Sequence, residues 1–222
     1  MARILITGSA RGIGLELVSQ YHAAGHEVIA VCRDPGAELP ALGVQRIDGV
    51  ELADAAGLER VRNGLGTRIL DVLIHNAGVL REDRLGGLRA QADDLRAQFE
   101  VNALAPLLLT EALLGNLARG AKLAFVSSRM GSVGDNSSGG HYGYRMSKSA
   151  LNSAAKSLSI DLKERGIAVT VLHPGYVRTA MTGHHGDIDA ATAAGHLIQR
   201  IAALDLEHSG RFLHARGTEL PW

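Results

Sequence analysis

Thr7-Gly8-Ser9-Ala10-Arg11-Gly12-Ile13-Gly14 follows a short apolar run, Ile4–Thr7, and opens an amphipathic stretch, Gly14–Ala24. Glycines at 8, 12 and 14 allow the backbone to turn tightly, to approach a phosphate and to pack the following helix against the strand. Unpaired amides at the start of that helix favour a negative pyrophosphate. Glycine-rich turns also serve packing alone. Here the turn joins a first strand to a first helix, which is the context that a dinucleotide site requires. Gly8, Ser9, Arg11, Gly12, Ile13 and Gly14 are therefore candidate cofactor contacts. The spacing is G-x-x-x-G-x-G, distinct from the G-x-G-x-x-G of other dinucleotide folds.

Outward from this turn, β-like runs alternate with helical patterns to the end of the chain. The runs are Val28–Cys32, Val44–Ile47, Val72–Ile74, Lys122–Val126 and Ala168–Leu172, with a weaker one at Arg211–His214. Helical periodicity marks Leu95–Leu117, Ser147–Arg165 and Ala190–Leu204. Together with Ile4–Thr7 these runs predict an α/β fold: a single-domain Rossmann architecture over residues 1–222, its doubly wound, parallel, seven-stranded sheet covered by helices on both faces. No fixed-period repeat or linker interrupts it. Glycine-rich segments at 131–143 and 183–186 follow strands, on the side where an open sheet places its ligand crevice.

Composition narrows the function. The 222 residues carry 23 basic and 23 acidic side chains, without the basic excess or stripe of a nucleic-acid binder. A single cysteine, Cys32, excludes an internal disulfide and fits a reducing compartment. No apolar run reaches membrane-spanning length, and the N-terminus enters a strand without a charged-then-apolar leader. A cytoplasmic location is the expectation, with no membrane partner.

The cofactor is read from the end of the second strand, Val31-Cys32-Arg33-Asp34. An acid there would bind the ribose 2′-hydroxyl of NAD, and arginine the 2′-phosphate of NADP. Arg33 and Arg11 could fork onto one phosphate, which favours NADP(H) over NAD(H); Asp34 is the competing signal. Further along, Tyr144 and Lys148 stand one helical turn apart. A phenol with a pKa near 10 is poorly matched to neutral acid–base work, and an ammonium beside it can lower that value by roughly 1–3 units. Ser127-Ser128 ends the preceding strand, where a hydroxyl could hold a carbonyl oxygen beside the tyrosine.

In this order, T-G-x-x-x-G-I-G at Thr7–Gly14, Asn76-Ala77-Gly78, Asn102, Ser128, the Tyr144/Lys148 pair and Pro174-Gly175 resemble the short-chain dehydrogenase/reductase family over nearly the whole chain. The resemblance implies a catalytic tetrad of Asn102, Ser128, Tyr144 and Lys148. Tyr144 would donate the proton and Ser128 would anchor the substrate carbonyl. Lys148 would hold the nicotinamide ribose and lower the tyrosine pKa, while Asn102 would position a relay water. It also implies cofactor contacts at Asn76, Ala77 and Gly78, at Asp48 beside the adenine, and at Pro174, Gly175, Val177 and Thr179 beside the nicotinamide. In the family the NAD-selecting acid falls at the position of Cys32, and many NADP-using members are basic at those of Arg33 and Arg11. Ser127–Ser132, the glycine-rich run before Tyr144 and the segment Gly217–Trp222 resemble the carbonyl reductase branch that includes Sniffer and C-factor. That likeness implies NADPH-dependent reduction of an aldehyde or ketone, or the reverse oxidation of a secondary alcohol. The alternative it raises is a cofactor-binding signalling protein with little turnover. Pairing of the two long helices in the family implies a homodimer or homotetramer.

Two departures from the family pattern stand out: His75 replaces an asparagine before Asn76, and Gly49 follows Asp48 in place of an aliphatic residue. The stretch after Thr179 is short, so a small lid and an open pocket are expected. Ten histidines, His184-His185 with Asp187 among them, invite a metal reading. Adjacent histidines point in different directions and no partner has ligand spacing, so no metal is expected. His141 and Tyr142 fit either the substrate entrance or simple loop packing.

Overall fold

The computed structural model describes Met1–Trp222. Seven strands form one parallel sheet in the order β3-β2-β1-β4-β5-β6-β7: β1 Arg3–Thr7, β2 Glu27–Val31, β3 Gln45–Ile47, β4 Leu70–His75, β5 Leu117–Val126, β6 Ala168–His173 and β7 Arg211–His214. The strand order reverses between β1 and β4, and the carboxyl ends there are where an open α/β sheet places its ligand crevice.

Both faces of the sheet are covered, so the central strands are apolar along their length. Alternation along each strand divides the core in two. Ile4, Ile6, Val28, Ala30, Ala124 and Leu172 pack under helices α1 (Gly12–Ala23) and α7 (Ala190–Ala202) through Leu17, Val18, Leu197 and Ile201. Leu5, Ile29, Leu73, Phe125 and Val171 meet the other layer through Val61, Leu109, Leu151 and Ala155. That layer holds α3 (Ala55–Leu65), α5 (Ala105–Ala112) and α6 (Tyr142–Asp161). Two further helices are α2, Glu38–Ala41, and α4, Ala92–Phe99.

The stretch expected as helical over Leu95–Leu117 is continuously helical from Ala92 to Ala112, with a π-helical turn inside it. Helix α4 passes through a π-helical turn at Glu100–Leu104 directly into α5, and Pro106, which has no N–H to offer the preceding turn, lies just past it. The α-helix gives way after Ala112 to a 3-10 turn over Leu114–Asn116, where the Asn116 side-chain amide donates to the carbonyls of Gly66 and Arg68 at 2.8 Å. Leu117 is already strand, in register with Leu70. Helix α6 starts five residues before the expected Ser147 and ends at Asp161. No helix is long and apolar enough to cross a membrane.

Candidate active site

At the phosphate turn Gly8 adopts a left-handed φ of 65°. A Cβ on Gly14 would fall 2.0 Å from the Gly8 carbonyl oxygen, so only glycine lets α1 begin this close to β1. Nothing caps the helix from a side chain, so its first amides, those of Gly12, Ile13 and Gly14, stay free for an anion. Thr7 and Asn76 lock the turn to the end of β4. The Asn76 side-chain amide donates to the carbonyls of Thr7 and Gly8, both at 3.1 Å, and the amides of Asn76 and Ala77 donate to the Thr7 hydroxyl at 3.1 and 3.2 Å. Ser9 is buried with its hydroxyl donating to the Val31 carbonyl at 2.9 Å, so its side chain braces the turn and does not face the crevice.

Arg11 and Arg33 are exposed at the rim, and Arg33 meets Glu51 at 3.3 Å. Asp34 turns away, accepting the Gly36 amide at 3.0 Å. Asp48 accepts from the Cys32 thiol at 3.3 Å and pairs with Arg46. Burial and that carboxylate push the Cys32 thiol up to about 12, which leaves it protonated and unreactive. His75 fills the core: it stacks on Phe125 with ring centroids 4.8 Å apart and meets the Thr110 hydroxyl at 2.9 Å. Burial holds its pKa down at about 3, so a neutral, hydrogen-bonded imidazole replaces the asparagine at no cost in charge.

On the other side of the crevice, Tyr144 and Lys148 are both buried on the inner face of α6. The lysine nitrogen lies 5.8 Å from the Tyr144 ring centroid and donates to the Val126 carbonyl at 3.0 Å. Ser128 caps the short turn Arg129–Gly131, its oxygen accepting the Met130 amide at 3.1 Å. Asn102, within the π turn, is fully engaged. Its oxygen accepts the Val79 amide at 2.8 Å, and its nitrogen donates to the Val79 carbonyl at 2.8 Å and the Ser147 hydroxyl at 3.0 Å. Gly78 sits against this group, where a Cβ would lie 3.2 Å from the Asn102 oxygen and 3.6 Å from the Lys148 nitrogen.

The electrostatics differ from the sequence expectation. Burial drives the Tyr144 phenol up to about 12, with the Ser128 hydroxyl pulling it back; burial also draws Lys148 down to about 8. The lysine nitrogen donates to a backbone carbonyl, and burial, not the ammonium, sets the direction of the phenol's shift. Tyr144 is thus protonated at neutral pH, a donor in waiting.

From β6, Pro174 and Gly175 lead to Val177, which is buried and bridges to Ile188, and then to Thr179. A Cβ on Gly12 would be 3.4 Å from the Thr179 methyl, so the two loops meet across the crevice mouth. Between Thr179 and α7 lie only the turn Ala180–Thr182 and a loop. That loop carries His184-His185, and no group of three or more His, Cys, Asp or Glu side chains is arranged to hold a metal.

Several supports carry no motif. The Arg145 guanidinium, on the outer face of α6, donates to the Met130, Gly139 and Gly140 carbonyls and to the Ser138 hydroxyl at 2.8–3.4 Å, which fastens the glycine-rich loop to the helix. The Trp222 carbonyl accepts from Gly134 and Ser132, and its ring lies 5.7 Å from that of Phe212.

A phosphate turn at the switch point of a doubly wound sheet, facing a buried tyrosine and lysine, defines an oxidoreductase of the dinucleotide-binding class. The short chain dehydrogenase family model matches residues 2–188, and the chain belongs to that family. It is 40% identical to the 1-hydroxy-2-glutathionyl-2-methyl-3-butene dehydrogenase of Rhodococcus sp. (strain AD45), with all of both chains covered. It is also 45% identical to the C-signal protein of Myxococcus xanthus over 69% of this chain and 93% of that one. Among solved structures, the carbonyl reductase Sniffer of D. melanogaster superposes with a TM-score of 0.90 at 32% identity, all of both chains covered. The NADPH-bound carbonyl reductase from chicken fatty liver gives 0.89 at 30% identity, covering 100% of this chain and 99% of that one.

Proposed function

We propose that the protein, acting as one domain over residues 1–222, is an NADP(H)-dependent carbonyl reductase that interconverts an aldehyde or ketone with its alcohol. The observation that carries this reading is geometric: Tyr144 and Lys148 are buried one turn apart on α6, the lysine nitrogen 5.8 Å from the tyrosine ring centroid, with Ser128 at the end of the neighbouring strand. When bound, the reduced cofactor supplies the hydride. The chain's own residues do the rest. Ser128 holds the carbonyl oxygen, and Tyr144 delivers its hydroxyl proton to that oxygen as charge develops there. Lys148 keeps a positive charge beside the developing tyrosinate, and Asn102 ties the β4 loop to α6 around it.

The free amides of Gly12, Ile13 and Gly14 suit a pyrophosphate. Asn76, Ala77, Gly78 and Asp48 suit the adenosine half, and Pro174, Gly175, Val177 and Thr179 the nicotinamide half. NADP(H) is supported over NAD(H) because Arg11 and Arg33 are exposed at the rim while the Asp34 carboxylate is consumed by its own turn. The NADPH-bound relative agrees. A cytoplasmic homodimer or homotetramer acting on a small-molecule substrate completes the proposal.

The test is oxidation of NADPH, compared with NADH, across aldehydes, diketones and quinones, for wild type and Tyr144→Phe. Wild type should turn over with NADPH. The variant should bind NADPH normally and lose about 10³-fold or more in kcat; retained turnover would overturn the assignment of Tyr144. The similarity to C-signal supports a second reading, in which cofactor binding controls a partner. Tight NADPH binding with no turnover anywhere in the panel would select it.

A further inference from the structure

Asp83 belongs to none of the motifs above, yet it is only 7% exposed. It lies in the loop between β4 and α4. One of its oxygens accepts the Tyr142 amide at 2.6 Å and the other accepts the Gly143 amide at 2.9 Å. These are the first two amides of α6, which have no partners within the helix. His141, the residue at the cap position, provides no side-chain bond and is held in a left-handed conformation with φ 49°. The helix bearing Tyr144 and Lys148 is therefore capped from another part of the chain, about 60 residues upstream.

The cap is itself braced. Gln98 of α4 is fully buried and accepts the Arg81 amide at 3.0 Å, holding the same loop. A Cβ on Gly143 would fall 2.5 Å from the Gln98 side-chain nitrogen and 3.1 Å from the Asp83 oxygen. Only glycine at 143 lets both groups close on the start of the helix. Farther back, this loop is bonded to Asn102 through Val79 and to the phosphate turn through Asn76. One continuous segment, Asn76–Asp83, thus connects the cofactor turn to the first turn of α6.

We propose that Asp83 is a positioning residue: its carboxylate fixes where α6 begins, and so where the Tyr144 hydroxyl stands relative to Ser128. The inference rests on the catalytic reading of Tyr144 given above. A displacement of the helix start by a fraction of a turn would misplace the proton donor, and a misplacement of about 1 Å can cost about 100-fold in rate. The cofactor amides, on α1, would stay where they are.

The experiment compares Asp83→Ala, Asp83→Asn and Tyr144→Phe, using NADPH and the best substrate of the carbonyl panel. Asp83→Ala should lower kcat by about 30- to 100-fold while the NADPH Kd stays within about twofold. Asp83→Asn keeps one acceptor oxygen and should recover most of the loss. If Asp83→Ala melts earlier but keeps its kcat, Asp83 is a stability cap only and the proposal fails. It fails equally if kcat and NADPH affinity fall together, or if Asp83→Asn is no better than alanine. Should the alanine variant not fold, the asparagine variant decides: a several-fold lower kcat with full NADPH binding supports the proposal, and an unchanged kcat overturns it. Turnover retained by Tyr144→Phe would instead strike the catalytic reading itself, and the positioning role with it.

Discussion

The two sides of the crevice are built by opposite means. The phosphate turn is made of backbone: free amides, a glycine that must lack a Cβ, and short bonds from Thr7 and Asn76. The α6 side, with the proposed catalytic residues, is made of buried side chains. Lys148 is held against its solution preference, and the placement of the helix bearing it depends on groups distant in sequence. Stability and function coincide in the turn, since what shapes it also readies it for an anion. On α6 they conflict, because a buried ammonium with one carbonyl partner costs stability that a catalyst tolerates.

The sharpest way to break the comparison is Gly14→Ala. One methyl group 2.0 Å from a backbone oxygen and 2.6 Å from the Asn76 nitrogen forces the turn open. We expect a loss of about 3 kcal/mol in stability and at least about 100-fold in NADPH affinity. Both are readable by denaturation and fluorescence titration. A variant that lost affinity without losing stability would show that fold and site are separable even in the turn.

Lys148→Met should give the opposite pairing. Turnover should fall by about 10²- to 10³-fold. Stability at pH 7 should rise by roughly 2 kcal/mol, since the shift from 10.5 to about 8 reflects a charge that burial disfavours and the orphaned Val126 carbonyl returns only part of the gain. The sign is checked by pH. The unfolded chain holds the lysine proton up to about 10.5 and the native state only to about 8, so wild-type stability gains from this group as pH rises between those values. The methionine variant should lack that gain.

His75 sits at the seam, at the end of β4 directly before Asn76. Its folded pKa of about 3 lies below the unfolded value of 6.5. The unfolded chain therefore takes up its proton first, and the stability associated with a neutral His75 declines as pH falls from about 6.5 toward 3. At pH 4 the loss should be on the order of 3 kcal/mol. His75→Gln, which keeps a donor for the Thr110 hydroxyl, should flatten the acid limb of an unfolding curve.

Legibility in the sequence follows the same division. The turn could be read because its requirements are local: three glycines, a strand before and a helix after. The sheet could be read because strands buried on both faces are apolar throughout. The π turn at Glu100–Leu104 escaped, since it lies inside a stretch that is helical on both sides, and the start of β5 at Leu117 escaped because it pairs with Leu70, far away in the sequence. Tyr144, Lys148 and Ser128 were visible as residue types. That Lys148 would turn to Val126, and that Asp83 and Arg145 would hold the helix and its loop, rests on long-range pairs with no periodic signal.

Cofactor choice is the smallest effect and the finest test of a backbone-built turn with side chains only at its rim. Arg33 is 74% exposed on its side chain and shares its charge with Glu51 at 3.3 Å, so solvent and a carboxylate both weaken its hold on a phosphate. Arg33→Ala should therefore raise the KM for NADPH by only about tenfold, near the low end for a charge-assisted bond. If Arg33 meets the 2′-phosphate, which NADH lacks, the KM for NADH should not move. Glu51→Gln should act in reverse, freeing the guanidinium and tightening NADPH by about two- to threefold at low salt, with the gain lost at high salt. An equal change for both cofactors in Arg33→Ala would place the arginine on the adenosine they share, and selection of the 2′-phosphate would pass to Arg11.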